Sequence, residues 1–248
     1  MASLSGQRIV VTGASRGLGR AMAVALAKEG ATVIVTGRDP SALARTQTEV
    51  AAIGGTSELY ALDINNAEEV EAFAEKVWTK GPVDTVFANA GISLTKPAVE
   101  TTDADMRRII DANVIGSFTT LRAFGTRMLA RGSGKLIATS SDIGIRGSAG
   151  WVAYAASKGA LNAMVKTLAW EWAPKLTVNA IAPGAFATDI NAHLLEQPAI
   201  LQAISDETPL GRVGRAEEIG PLAVFMAGAG SDFMTGEIIS LDGGIKKS

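Results

Sequence analysis

Apolar positions along the chain follow two alternating patterns. Short runs such as RIVVT (8–12) and TVIVT (32–36) are apolar almost throughout. Between them lie longer stretches in which apolar residues recur every three or four positions, the period of a helix with one buried face. A short run with no polar alternation suits a strand covered on both sides. Strands are predicted at 8–12, 32–36, 58–62, 83–91, 134–141, 176–184 and 237–244. Helices are predicted at 17–30, where Gly30 closes the run, and from Pro40 to the Gly54–Gly55 pair. Further helices follow at 67–81, about 103–131, about 151–173, about 198–206 and 216–229. This alternation predicts an α/β fold of the doubly wound (Rossmann) kind: a parallel seven-stranded sheet with helices on both faces and right-handed crossovers. No linker, repeat or low-complexity tract interrupts it, so residues 1–248 read as a single domain. The irregular segment at about 185–214 is placed to cover a substrate.

Composition narrows the chemistry. Of the 248 residues, 47% are hydrophobic, and the formal net charge is −2. No basic run is longer than a pair, so neither nucleic acid nor an anionic membrane surface is an expected partner. Cysteine is absent and His193 is the only histidine. That removes thiolate sites and multi-histidine metal sites, and no metal is expected. No apolar run approaches the roughly 18 residues of a membrane span. The N-terminus lacks the pattern of a signal peptide, so a cytoplasmic location is expected.

The first predicted strand runs into TGASRGLGR, with glycines at 13, 17 and 19. A tight turn there aims backbone N–H groups and a helix N-terminus at a phosphate, making Gly13, Ser15, Arg16, Gly17, Leu18 and Gly19 candidate cofactor contacts. The second strand ends in VTGRDP. It places no acid where one would hold a ribose 2′-hydroxyl, and Arg38 follows at once. Arg16 and Arg38 together suit a 2′-phosphate, which favours NADP(H) over NAD(H). Asp39 remains open, either as a partner of Arg38 or turned toward a ribose. In YAASK, Tyr154 and Lys158 are four apart and share a helix face.

Taken in order, these stretches resemble the motifs of the short-chain dehydrogenase/reductase family. TGASRGLG resembles its glycine motif, ANAG (88–91) its NNAG motif with Ala88 in place of the first Asn, and YAASK its YxxxK signature. SSDIG, PGAFATD (183–189), LDGG and Asn113 in IIDANVIGSF complete the resemblance, which spans the whole chain. It implies an NADP-dependent oxidoreductase that transfers hydride between the nicotinamide and a ketone or secondary alcohol. Tyr154 would be the acid/base, Lys158 would lower its pKa and hold the ribose, and Ser141 would bind the carbonyl oxygen. Asn113 would hold a water that links Lys158 to solvent. Ser141 is preferred to Ser140 because the family serine commonly stands thirteen residues before the tyrosine. The resemblance also implies cofactor contacts from Asp63, Ile64, Asn89, Ala90 and Gly91. Pro183, Gly184, Phe186 and Thr188 would lie on the nicotinamide side. Partners would be a small-molecule carbonyl or alcohol and further copies of the chain, as a homodimer or homotetramer. The substrate could be a 3-oxoacyl thioester, a keto-sugar acid or a simple ketone, and a non-catalytic NADP-sensing regulator is the alternative. Asp142 and Arg146 read either as solvated loop charges or as signs of a polar substrate. Of Trp170 and Trp172, one is expected in the core and the other at a subunit contact.

Overall fold

The computed structural model describes residues 3–188 and 196–245. Residues 189–195 of the expected covering segment, with Asp189 and His193, lie outside the described residues. The strands are β1 (Arg8–Thr12), β2 (Thr32–Gly37), β3 (Thr56–Ala61), β4 (Thr85–Ala88), β5 (Gly134–Thr139), β6 (Leu176–Pro183), β7 (Phe186–Ala187), β8 (Gly214–Arg215) and β9 (Ile238–Leu241). The helices are α1 (Gly17–Lys28), α2 (Pro40–Ala52), α3 (Ala67–Trp78), α4 (Asp103–Ile110), α5 (Gly116–Arg131), α6 (Ile143–Arg146), α7 (Val152–Trp172), α8 (Pro198–Glu207) and α9 (Gly220–Ala227).

Seven strands form one parallel sheet in the order β3-β2-β1-β4-β5-β6-β9. Alternate residues of each strand feed two cores. Val10, Ile34, Val86 and Leu136 pack with Phe73, Leu121, Phe124 and Val165 from α3, α5 and α7. Ile9, Val11, Val33, Val35 and Ile137 pack on the other face with Met22, Leu26, Leu43 and Met226 from α1, α2 and α9. Both faces are covered, which is why the middle of β1 and of β2 is apolar throughout. The strand order reverses between β1 and β4, and a crevice opens there at the carboxyl ends of the strands.

The helix ends follow local rules. The Asp39 carboxylate accepts from the Ser41 and Ala42 N–H groups at 2.9 and 3.2 Å, capping α2 with Pro40 at its first position. Asp39 thus holds the helix start, and no Arg38–Asp39 ion pair is present among the described residues. Asn66 caps α3 in the same way, and Thr102 with Asp105 forms a capping box on α4.

Two features depart from the pattern-based expectation. The helix expected over 103–131 is interrupted by a π-helical turn at Asp111–Ile115, around Asn113. The segment after β6 contains a two-residue pairing of β7 with β8, too short to leave a periodic signal. Trp172 packs into the core against Gly125, whereas Trp170 is 88% exposed on α7.

Candidate active site

The crevice at the switch point is a cleft of about 390 Å³. The glycine turn, the ends of β2 and β4, and the Tyr154–Lys158 face of α7 converge on it. Expected contacts that line it are Gly13, Ser15, Arg16, Gly17, Leu18, Gly19, Arg38, Asp63, Ile64, Asn89, Ala90, Gly91, Tyr154, Lys158 and Thr188. Thr36, Leu62, Asn65, Ile92, Arg108, Ala112 and Thr139 join them, none of which the motifs singled out. Pro183, Gly184 and Phe186 do not line the cleft; Phe186 is buried with its ring against Gly214.

Close backbone approach explains the glycine turn. Gly13 has φ +66°, and a Cβ there would lie 2.8 Å from the Ala90 Cα. A side chain would thus force β1 and β4 apart at the crevice. Behind the turn, the buried Thr12 hydroxyl oxygen accepts from the N–H groups of Asn89 and Ala90, both at 3.0 Å. The Asn89 amide donates to the Thr12 carbonyl at 2.9 Å, and its oxygen accepts from the Thr139 hydroxyl at 3.2 Å. Asn89 therefore ties β1, β4 and β5 together at the floor of the cleft. Thr12→Val keeps the shape and strands both N–H groups, so urea unfolding should show a loss of about 1–3 kcal/mol.

The cleft has features that fit a dinucleotide. The three turn glycines line the cleft with no side chain of their own, and Thr36 Oγ1 is buried at the cleft wall without a partner among the described residues. Arg16 begins α1 in an extended conformation (φ −164°), and Arg38 directly follows β2. Both are exposed, and neither is in an ion pair among the described residues. Both guanidiniums line the cleft, and their chemistry suits a phosphate dianion.

Of the four residues expected to be catalytic, Tyr154 and Lys158 line the cleft, whereas Ser141 and Asn113 do not. Lys158 is buried, and its ammonium donates to the Thr139 carbonyl at 2.7 Å, 5.5 Å from the centre of the Tyr154 ring. Burial lowers the Lys158 pKa to about 8. Tyr154 is half-buried, yet enclosure by protein pushes its phenol up to about 12. A hydrogen bond with Ser141 acts against that rise, and the Asp142 charge adds to it. The expectation that Lys158 lowers the tyrosine pKa is thus corrected for this state: desolvation dominates, and the ammonium is turned to a carbonyl instead of the phenol.

Asn113 is fully buried in the π-turn. Its amide nitrogen donates to the Ile92 carbonyl and the Ser157 hydroxyl, both at 2.9 Å, and its oxygen accepts from the Ile92 N–H at 2.8 Å. Both amide protons are committed, so the expected water link does not run through this side chain as donor. Ser157, which sequence reasoning missed, passes the contact on by donating to the Tyr154 carbonyl at 2.7 Å.

The two serines diverge at the end of β5, as neighbouring strand residues do. Ser140 donates to the Asn162 amide oxygen at 2.6 Å, away from the tyrosine hydroxyl. Ser141 turns to Tyr154 and to Asp142, whose carboxylate is 3.1 Å away. Asp142 is itself buried and paired with Arg146 at 2.9 Å, which overturns its reading as a solvated loop charge. Among the described residues there is no cluster able to hold a metal and no helix long and apolar enough to cross a membrane.

Comparison with known proteins agrees with this arrangement. A family model described as enoyl-(acyl carrier protein) reductase matches residues 13–246. The chain is 36% identical to the galactitol 2-dehydrogenase (L-tagatose-forming) of Cereibacter sphaeroides, over 97% of this chain and 95% of that protein. It is 34% identical to the gluconate 5-dehydrogenase of Gluconobacter oxydans, over 99% and 97%. The crystal structure of a gluconate 5-dehydrogenase from Burkholderia cenocepacia, in complex with NADP and tartrate, superposes with a TM-score of 0.94 at 30% identity, covering 99% of this chain and 97% of that one. With this sheet order, this cleft and these relatives, the chain belongs to the short-chain dehydrogenase/reductase family, a family of oxidoreductases on a Rossmann-type fold.

Proposed function

We propose that this protein transfers hydride between NADP(H) and a ketone or secondary alcohol, with Tyr154 as acid and base. The observation that carries the reading is that Tyr154, with Ser141 against it, and Lys158 line the same cleft as Arg16 and Arg38. The residues of this cleft would hold a nicotinamide dinucleotide, which would supply or take up the hydride. During reduction, the Tyr154 hydroxyl gives its proton to the substrate oxygen, and Ser141 steadies the charge that develops there. During oxidation, the tyrosine takes that proton back. Lys158 supplies positive charge beneath the site, and Asn113 with Ser157 fixes the start of α7. The glycine turn would hold the pyrophosphate, Asp63 and Ile64 the adenine side, and Thr188 the nicotinamide side, with Pro183, Gly184 and Phe186 supporting Thr188 from outside the cleft.

Sugar-derived alcohols and keto acids are the first substrates to try, on the pattern of the galactitol and gluconate relatives. We read the chain as a single domain and place the protein in the cytoplasm as a homodimer or homotetramer. The test is loss of reduced-nicotinamide absorbance over a panel of carbonyls, run with NADPH and with NADH. Turnover that prefers NADPH is the expected result. Arg16→Ala and Arg38→Ala should each raise the NADPH KM by about 10-fold or more, with little effect on NADH. Turnover with NADH alone would remove the role given to the arginines. Tight NADPH binding without turnover would favour a regulatory protein instead.

A further inference from the structure

The face of α7 that carries Tyr154 and Lys158 continues to a third polar residue, Asn162, one turn further on. It lies outside the YAASK motif, and the proposed mechanism does not use it. Its side-chain amide reaches across to the turn that follows β5. The amide nitrogen donates to the Gly144 carbonyl at 3.2 Å, and the amide oxygen accepts from the Ser140 hydroxyl at 2.6 Å. A carbonyl can only accept, so the nitrogen faces Gly144 and the oxygen faces Ser140. Both ends of the amide are thus committed to one turn.

The two tied positions bracket Ser141. Ser140 is buried at the end of β5, and its N–H donates to the Ile181 carbonyl of β6 at 2.7 Å. Gly144 closes the turn, its N–H donating to the Ser141 carbonyl at 3.1 Å. The same glycine stands so near α7 that a Cβ on it would lie 2.5 Å from the Lys158 Cβ. The turn therefore rests on α7 at Gly144 and is fastened to it through Asn162 on both sides of the serine.

We propose that Asn162 is a positioning residue: it holds the β5–α6 turn against α7 and so sets where Ser141 stands relative to Tyr154. This rests on the hydride-transfer reading above, in which the serine hydroxyl and the tyrosine proton meet at one substrate oxygen. The two side chains come from different elements, a strand end and a helix, so their separation is fixed only as well as the turn is fixed to the helix. Reacting groups have to be held to within about 0.5 Å. A displacement of about 1 Å can cost 10²-fold in rate. Asn162 is on the same helix as Tyr154, two turns away, so a tie made there places the turn in the frame of the tyrosine. Asn162, Ser140 and Gly144 do not line the cleft, so the cofactor contacts do not depend on this tie.

The test is a double-mutant cycle between Asn162→Leu and Ser141→Ala, read as the single-turnover rate of reduction of the best ketone of the panel. Asn162→Leu should lower that rate by about 10-fold or more and keep the NADPH dissociation constant within about twofold of wild type. Ser141→Ala should lower the rate by about 10²-fold. Adding Asn162→Leu to Ser141→Ala should then cost less than about twofold more, because no serine is left to misplace. The thermal midpoint should fall equally when the leucine enters either background, so the structural effect persists where the rate effect disappears. Ser140→Ala, which removes one of the two ties, should show a smaller loss with the same dependence on Ser141. A rate loss from Asn162→Leu that is as large without Ser141 as with it overturns the proposal, and so does an Asn162→Leu variant with the wild-type rate. Either result leaves the hydride-transfer reading standing. Should Asn162→Leu fail to fold, Ser140→Ala carries the same cycle. Should Ser141→Ala be too slow to measure, the split in Asn162→Leu decides: a lower rate at unchanged NADPH affinity supports the proposal, and a parallel loss of affinity overturns it. A wild type inactive on every carbonyl and alcohol brings down the reading and the proposal together.

Discussion

Replacing Tyr154 with Phe should lower turnover by about 10³-fold and leave the NADPH dissociation constant nearly unchanged. The substitution removes the proton that a reduced substrate oxygen must receive, and a positioned acid of this kind contributes about 10²–10⁴-fold. It keeps the aromatic ring that packs 5.5 Å from the Trp151 ring, so α7 has no reason to move. A phenol raised to about 12 is fully protonated at neutral pH, which suits it to donate. Oxidation needs the phenolate, so the oxidative rate should climb with pH across the neutral and alkaline range. Single-turnover measurements with NADPH, paired with fluorescence titration of the cofactor, check both halves of the expectation. A variant that kept turnover within tenfold of wild type would show that another group moves the proton.

The second large effect is a stability gain coupled to lost function. Lys158 has its pKa lowered from 10.5 to about 8 by burial alone. Between those values the unfolded chain holds a proton that the folded chain has shed. Wild-type stability from this group therefore rises as pH increases from about 8 to 10.5, and below that window the buried charge costs up to about 3 kcal/mol. Lys158→Met removes the charge and leaves the Thr139 carbonyl without its 2.7 Å partner, which offsets about 1 kcal/mol. We expect the variant to be more stable than wild type by about 1–3 kcal/mol at pH 7 and to lose the upward slope in the alkaline window. Its turnover should fall by at least about 10²-fold. Urea titrations at pH 7 and pH 10 measure the first effect. A variant less stable than wild type at both pH values would mean that the ammonium is net stabilising where it stands. The expected pattern is that of a group kept for chemistry at the expense of the fold.

The alternation of apolar runs with helical periods was sufficient to place the seven strands of the sheet. A strand buried on both faces leaves a run with few polar residues, and a helix with one buried face leaves a regular period. The glycine turn was legible for a related reason. Gly13 must hold φ +66° and admit Ala90 to contact, and no other residue does both. Tyr154 and Lys158 were legible because four residues is one helical turn. These are local rules, and the order of residues by itself determined them.

Long-range packing decided the rest. No spacing reveals that Asp142 is buried, because its cover comes from the end of β6 and its partner from the next turn of chain. The commitment of both Asn113 amide protons depends on Ile92 and Ser157, which are 21 and 44 residues away in sequence. The direction of the Tyr154 pKa was misjudged from the proximity of Lys158 alone. Water exclusion is a property of everything packed around a group, and it is the largest influence on both groups here. The sequence by itself determined which elements form and which residue types reach the crevice. Only the tertiary structure decided how dry that crevice is, which way each polar hydrogen points, and therefore which protons are free to move.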